Sequence, residues 1–584
     1  MKARLEQHLN EVLEVLKADG LVPTDTTVDV SLSRTKDPSH GDFASNLAMV
    51  LAKPAKKPPR EMAQAIIDAL PANSDIQKVE IAGPGFINFH LSESQQASVV
   101  KTVLAQKEAF GRSTVGAGQR LQVEYVSANP TGPLHVGHGR GAALGATMAN
   151  MLSAAGFDVQ REYYVNDAGR QMDILATSVW LRYLERSGQT LSFPSNGYKG
   201  DYIFDIADTL RGAVADRLDC DVAEAFAEVR PDEPDGGDKE QHIDDLIANA
   251  RKLLSDSDYK TLFDHALNAV LEDIQADLAE FGVIYDEWFS ERSIQSDIAR
   301  AIETLNARGY LYEKEGAQWF RSTDFGDDKD RVVVRDNGQT TYFASDLAYI
   351  NNKMERGFDQ VLYVFGADHH GYTARMLAAA EALGHDPKRL KFLLIQFANL
   401  YRGGERVPMT TRGGSFVTIR ELRDEVGKDA ARYFYVMRKY QQHLDFDLDL
   451  AKSQSNENPV YYVQYAHARI CSVLRQLSQR GMTYDEALGL ESLARLDTAE
   501  ESELLTLLDT YPEILERAAL SHEPHQITGY LRDLANALHT YYNAHKVLLD
   551  DEPLRNARLS LLLAVKQVLV NGLTLIDVST PEVM

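Results

Sequence analysis

Cysteine is nearly absent from this chain. Two residues in 584, Cys220 and Cys471, cannot build a disulfide framework or a cysteine-rich zinc site, and such usage suits a reducing cytosol. Positive charge is also scarce. Lys and Arg number 61 against 86 Asp and Glu, a formal net charge of -25, so the bulk surface repels nucleic acid and anionic membranes. Any nucleic-acid partner must be held by local patches. Long apolar runs are missing too: no window reaches the roughly 18 apolar residues of a membrane span, and no membrane partner is expected. Internal repeats and low-complexity tracts are absent. What remains is 44% hydrophobic and 25% charged, the composition of a globular chain, which excludes disordered and collagen-like classes. At roughly 100 to 200 residues per domain, the length predicts about three or four domains. Leu5, Leu9, Val12, Leu13 and Leu16 recur at helical spacing with charges between them, an amphipathic helix rather than a signal peptide. A soluble, cytoplasmic protein is expected.

Residues 1–115 read as an α+β unit. It has the opening helix, a helical run from Arg60 to Ala69, and two strand-like runs around the turn Gly83-Pro84-Gly85. Gly116-Ala117-Gly118 reads as a linker. A strand from Leu121 to Val126, a Pro/Gly loop, a small-residue helix from about Gly137 to Ala155 and a strand from Asp158 to Val165 then make a βαβ unit of a parallel sheet. Between about 190 and 330 the pattern turns helical and acidic, broken near residues 230–240, and reads as an insertion. Strand runs return at Arg331–Arg335, Thr340–Ser345, Gln360–Phe365 and Lys391–Phe397, with a helix between Tyr372 and Leu383. From about 456 to 584 nearly everything has helical spacing, which predicts an all-α bundle.

The strongest local signal runs from Ser127 to His138, after a strand and opening a helix. Gly137 lets a flat ring approach the backbone, and a helix N-terminus offers N–H groups and a positive dipole end to phosphate. His135 and His138 can donate to the phosphates of a nucleotide. Isolated histidines at such a turn also serve simply as polar caps. A second cluster holds Tyr342 and Asp346, then Gly366-Ala367-Asp368-His369-His370-Gly371. The i, i+4 spacing puts phenol and carboxylate on one face if that stretch starts a helix. A buried carboxylate facing a site suits a guanidinium. On spacing alone the pair reads rather as a core tyrosine and a helix cap.

The pattern His135-Val136-Gly137-His138 resembles the first signature of the class I aminoacyl-tRNA synthetases, which implies a Rossmann-type catalytic domain. Asn129-Pro130-Thr131-Gly132-Pro133-Leu134 before it, Tyr163 to Gly169, Gly366 to Tyr372 and Asp445 to Ala451 are similar to the bacterial arginyl-tRNA synthetase family. That family's domains would fall at 1–115 (tRNA elbow), 116–455 (catalysis, with the insertion and a mobile loop at 407–415) and 456–584 (anticodon). The resemblance implies an arginine-tRNA ligase that uses ATP with Mg²⁺, has no tightly bound cofactor and no resident metal, and takes L-arginine and tRNA as partners. A monomer is expected. His135, His138 and Arg412 would be catalytic. Gly137, His370, Met409, Thr410 and Thr411, with the two histidines, would hold ATP. Glu124, Asn129, Tyr342 and Asp346 would hold arginine. Exchange of pyrophosphate into ATP would need tRNA.

One departure stands out. The second class I signature, K-M-S-K-S, should fall at residues 408–415, yet its lysine positions are Pro408 and Thr411. Where some members carry a compensating lysine before the first signature, this chain has Gly132. Arg412 is the nearest cation, and Thr418 with Glu421 predicts a capping box just beyond. For tRNA, Lys53, Lys56, Lys57 and Arg60 form a basic cluster, and the resemblance makes Phe86 and Asn88 candidates for base contact. Tyr461, Tyr465 and Arg469 share a helical face suited to unstacked bases, although such stripes commonly belong to cores. Three other readings compete: a metal-dependent phosphoesterase, from Asp368-His369-His370; a small nucleotidyltransferase; and a non-catalytic synthetase relative.

Overall fold

The computed structural model describes residues 2–584 apart from 36, 72, 74, 75 and 409–416. The opening helix, Lys2–Ala18, buries Leu5, Leu9, Val12, Leu13 and Leu16, the stripe its spacing predicts. They pack on an antiparallel sheet in the order Leu32–Arg34, Phe43–Ser45, Phe86–Leu91, Ile76–Ala82. Gly83-Pro84-Gly85 closes the last hairpin. Gly85 has φ +146, and a Cβ there would lie 2.8 Å from Pro59.

Five parallel strands form the central sheet, ordered Leu390–Ile395, Gln360–Gly366, Arg120–Tyr125, Asp158–Val165, Glu287–Ser290. The first of these in the chain, Arg120–Tyr125, lies at the centre, and strand order reverses between it and Gln360–Gly366. That is the topological switch point, where crevices form beyond the carboxyl ends of the strands. The helix Val136–Ala154 follows the central strand and is almost wholly buried, which its small residues permit. A Cβ on Gly145 would lie 2.3 Å from the Tyr125 ring, and one on Gly139 2.9 Å from Tyr435.

The stretch expected to be a helical insertion to about 330 is continuously helical in character only as far as Asp256–Glu280, with one more helix, Gln295–Ala307, beyond it. Glu287–Ser290 already returns to the parallel sheet as its edge. Arg331–Val334 does not join that sheet; it pairs with Ala317–Phe320 in a separate antiparallel sheet completed by Leu311–Lys314. Thr340–Ser345, expected as a strand, opens the helix Tyr342–Glu355 instead, because Phe343, Ala344 and Leu347 find burial on one helical face.

The C-terminal region is helical: Pro459–Gln479, Ala499–Ser521, His525–Ala544 and Glu552–Leu575 are its long members. The last is long and apolar enough by composition to cross a bilayer, yet 72% of its most apolar window is buried inside the protein. The bundle is bonded to the rest of the chain. Arg432, fully buried, donates to the carbonyls of Ile576 (2.7 Å) and Phe281 (3.0 Å). Asn571 donates to the carbonyls of Lys107 (2.9 Å) and Phe110 (3.2 Å), and Asn150 to that of Leu575 (3.0 Å). Arg34 of the N-terminal sheet pairs with Asp509 (2.5 Å) and Glu513 (3.0 Å) of the bundle.

Candidate active site

Immediately after the central strand, Val126 (φ 69) and Ser127 (φ 43) occupy the left-handed region, a costly conformation for a β-branched residue that persists only where surroundings enforce it. The enforcement is visible. The Ser127 hydroxyl donates to Glu124 Oε1 and accepts from the Tyr164 N–H, both at 3.1 Å, while the Tyr163 hydroxyl donates to the Ala128 carbonyl at 2.9 Å. Further on, the Tyr202 hydroxyl donates to the Thr131 carbonyl at 2.5 Å. A Cβ on Gly132 would lie 2.7 Å from that hydroxyl, so a lysine cannot stand there unless Tyr202 moves.

His135 is the N-cap of the signature helix. Its Nδ1 accepts from the Gly137 N–H at 3.1 Å, which fixes the ring proton on Nε2, the nitrogen that can donate to a phosphate. The His135 and His138 rings stack with centroids 3.7 Å apart. Burial, helped by the charge of His135, holds His138 down at about 3, and burial lowers His135 as well. Both imidazoles are therefore neutral near pH 7, hydrogen-bond donors rather than cations. Nδ1 of His138 is buried and without a partner among the described residues, a group that a bound nucleotide can satisfy. The turn is paired to the far end of the second signature loop: Val136 N–H donates to Val417 O (2.8 Å) and Ile419 N–H to Leu134 O (2.9 Å). Thr418 and Glu421 form the expected capping box. From the same helix, buried Arg140 holds the carbonyls of Gln396 (2.6 Å), Gln442 (2.7 Å) and Lys439 (3.0 Å).

Beside this turn lies an acidic pocket. Asp346 sits one turn into Tyr342–Glu355, four residues after Tyr342, and accepts from the Tyr372 hydroxyl. Burial raises it to about 7; the Tyr372 hydrogen bond opposes the rise, and repulsion from Glu291 and Glu124 adds to it. Glu291 is buried and likewise raised by burial, against hydrogen bonds from Ser345 and Tyr164. Asn166 and Asn129 lie with their amides 3.1 Å apart. With its nitrogen turned toward Glu291 and the Ala168 carbonyl, Asn166 donates to both, at 2.7 and 3.0 Å. Tyr342 is 61% exposed at the mouth, its hydroxyl over Gly169.

The remaining candidates divide. His370 is exposed at the start of His370–Leu383, across the switch point from the histidine turn. Met409, Thr410, Thr411 and Arg412 lie outside the described residues. Their flanking cations are engaged: Arg402 bonds both Glu425 oxygens at 2.7 Å, and Arg406 bonds Asn399 at 2.7 Å. Phe86 is 39% exposed, whereas Asn88, expected beside it as a base contact, is only 4% exposed because Ala44 and Glu80 flank it in the sheet. Lys53, Lys56, Lys57 and Arg60 are exposed, and Arg60 bonds the Gly83 carbonyl at 2.6 Å. Tyr461, Tyr465 and Arg469 do come together. The two rings stack with centroids 6.0 Å apart, and Arg469 lies over Tyr465 (4.9 Å) and Tyr542 (4.7 Å). All three are half-buried, so the stripe is not core. Sequence reasoning missed Glu291, Glu162, Tyr349 and Lys353 entirely; Tyr164 and Tyr372 lay inside recognised runs without a role.

A parallel sheet with a histidine turn at its switch point, a capped second loop and a terminal helical bundle defines a class I aminoacyl-tRNA synthetase. Residues 99–193 and 237–454 match the family model of the class I (R) tRNA synthetase catalytic domain, 1–91 that of the arginyl-tRNA synthetase N-terminal domain, and 463–584 that of the DALR anticodon-binding domain. Over the full length of both chains the protein is 61% identical to the arginine-tRNA ligase of Thioalkalivibrio sulfidiphilus and 57% identical to that of Hydrogenovibrio crunogenus. The chain belongs to the arginyl-tRNA synthetase family. Its fold matches that of the Thermus thermophilus arginyl-tRNA synthetase at a TM-score of 0.72 and 22% identity, with all of both chains covered.

Proposed function

We propose that this enzyme activates L-arginine with ATP, releasing pyrophosphate and forming arginyl-adenylate, and then transfers the arginyl group to the 3′ end of its tRNA, releasing AMP. The observation that carries the reading is the convergence of Glu124, Glu291 and Asp346 beside the His135-Gly137-His138 turn. Carboxylates in a half-dry pocket suit a substrate with two cationic groups, and a site with buried polar groups rejects analogues lacking the partner far better than an apolar slot does. Asn129 and Tyr342 complete the arginine site. The α-carboxylate attacks the α-phosphate in line, so catalysis is positioning and charge stabilisation, and no side chain acts as a covalent nucleophile. His135, His138, Gly137 and His370 hold ATP with Met409, Thr410 and Thr411, and Arg412 stabilises the departing pyrophosphate.

Mg²⁺ would neutralise phosphate charge. The division of labour is 1–115 for the tRNA elbow, with Phe86 and the lysine cluster, 116–455 for chemistry, and 456–584 for the anticodon, with Tyr461, Tyr465 and Arg469. The enzyme works as a cytoplasmic monomer, in keeping with its two cysteines and net charge of -25. A charging assay across the proteinogenic amino acids tests the activity: acceptance of another and not of arginine would overturn it. Arginine-dependent exchange of pyrophosphate into ATP should appear only with tRNA present. Exchange in either condition excludes a non-catalytic relative.

A further inference from the structure

Beneath the arginine pocket lies a charge cluster that no sequence motif marks. Lys353 is 0% exposed; its ammonium pairs with the Glu124 carboxylate and lies 3.4 Å from Glu162 Oε1. The rings of Tyr349 and Tyr363 flank it, with centroids at 4.4 and 4.3 Å. The Tyr349 hydroxyl stands between the two carboxylates, 2.8 Å from Glu124 Oε2 and 2.5 Å from Glu162 Oε1; having one proton, it donates to one at a time. Arg356 closes the far side with bonds of 2.6 and 3.1 Å to Glu162, and Gln122 adds one of 2.9 Å. Two carboxylates thus face two cations, the balance that makes buried charge tolerable.

The two carboxylates are not used alike. Both oxygens of Glu162 are consumed inside the cluster: Oε1 by Tyr349 and Lys353, Oε2 by Arg356 and Gln122. On Glu124, Oε2 takes Tyr349 and Lys353, while Oε1 has a single bond among the described residues, from Ser127 at 3.1 Å. An ionised carboxylate oxygen can accept about two hydrogen bonds, so Oε1 keeps capacity for a donor from the pocket. We propose that Lys353, braced by Tyr349, is a positioning residue for arginine binding: it pins Oε2 of Glu124 so that Oε1 is presented to the substrate's positive charge. This rests on the reading of Glu124 as an arginine ligand. Without the ammonium, Glu124 lies buried beside the like charge of Glu162, and the rotation or protonation that relieves this removes its charge from the substrate.

The test is steady-state charging with full-length protein, normalised by active-site titration so that unfolded molecules do not count. Lys353→Met should raise the arginine KM by about tenfold or more, and Tyr349→Phe, which keeps the packing, severalfold, with the KM for ATP unchanged in both. Glu124→Gln should raise the arginine KM too. The double variant Lys353→Met/Glu124→Gln should then lose no more than the worse single variant, because the two groups act as one unit. If Lys353→Met folds poorly, Tyr349→Phe carries the test alone. Unchanged arginine KM in Lys353→Met and Tyr349→Phe, beside a raised one in Glu124→Gln, overturns the positioning role and leaves the arginine site intact; so do additive losses. Unchanged arginine KM in Glu124→Gln overturns the placement of Glu124 in that site, and the positioning role with it.

Discussion

The phenol of Tyr372 donates a hydrogen bond to the carboxylate of Asp346, joining the helix beyond the switch-point strand to the helix that carries Tyr342. Burial nevertheless holds Asp346 at about 7, far above an ordinary aspartate. Only the ionised form attracts a guanidinium, so the arginine KM should rise as pH falls below about 7, and the KM for ATP should not follow. The effect on stability has the opposite sense. An acid whose folded value is raised stabilises the fold while protonated; that contribution is full below its ordinary value of 3.8 and is lost as pH rises through about 7. Asp346→Asn, locked neutral, should therefore melt at a higher temperature than the parent above pH 7 while binding arginine poorly. Thermal melts across this range, paired with arginine titrations, check both halves, and a parent Tm equal to that of the variant at every pH would refute the second.

Glu291 gives a prediction independent of any motif. It is a buried carboxylate whose charge is resisted by its surroundings and whose neighbours include Asn166 and Tyr164. Removing one partner of a charge-assisted hydrogen bond costs about 1.5 to 3 kcal/mol, roughly 10- to 150-fold in affinity. Glu291→Gln should raise the arginine KM within that range and leave the tRNA KM alone. Initial-rate measurements at saturating ATP decide it.

The site was only partly legible from the chain. His135, Gly137 and His138 are contiguous, and turn chemistry acts over neighbours. Glu124 and Lys353, by contrast, are 229 positions apart, and only the sheet and the helix packed on it bring them together. Glu291 sits just after the edge strand Glu287–Ser290, four residues without alternation inside a stretch of helical spacing, so neither the strand nor the carboxylate announced itself. Thr340–Ser345 misled differently. Its β-branched and aromatic residues favour a strand, but burial of Phe343 and Ala344 against the core overrode that preference.

Flanking the second signature loop, Arg402 and Arg406 already bond Glu425 and Asn399, so the pyrophosphate role proposed for Arg412 is the one to test. Arg412→Ala should lower kcat for activation by about two orders of magnitude, a loss near 2.7 kcal/mol, with little change in arginine KM. Rapid-quench measurement of adenylate formation reads this directly. Full kcat in Arg412→Ala beside a loss in Arg402→Ala or Arg406→Ala would move the charge to a neighbour.

On the bundle, Arg469 bridges the rings of Tyr465 and Tyr542, so the stripe is a preformed stacking surface. Stacking is worth about 1 to 3 kcal/mol per base, and Tyr465→Ala or Arg469→Ala should raise the tRNA KM by roughly 5- to 150-fold. Arginine and ATP KM should stay where they are. Filter binding of tRNA at fixed salt separates this from a general loss of fold.

The seams at Arg432, Asn571 and Arg34 also govern how the protein may be dissected. Each places a donor from one segment on carbonyls or carboxylates of another, so a cut between residues 455 and 456 strips partners from both halves at once. A truncated bundle would expose the apolar face of Ala499–Ser521 and strand the guanidinium of Arg432 in the remnant, at a cost comparable to a whole protein's stability. Expressed together, the two fragments should reassemble along the same bonds; expressed alone, each is an aggregation-prone remnant whose failure to bind tRNA says nothing about where tRNA binds.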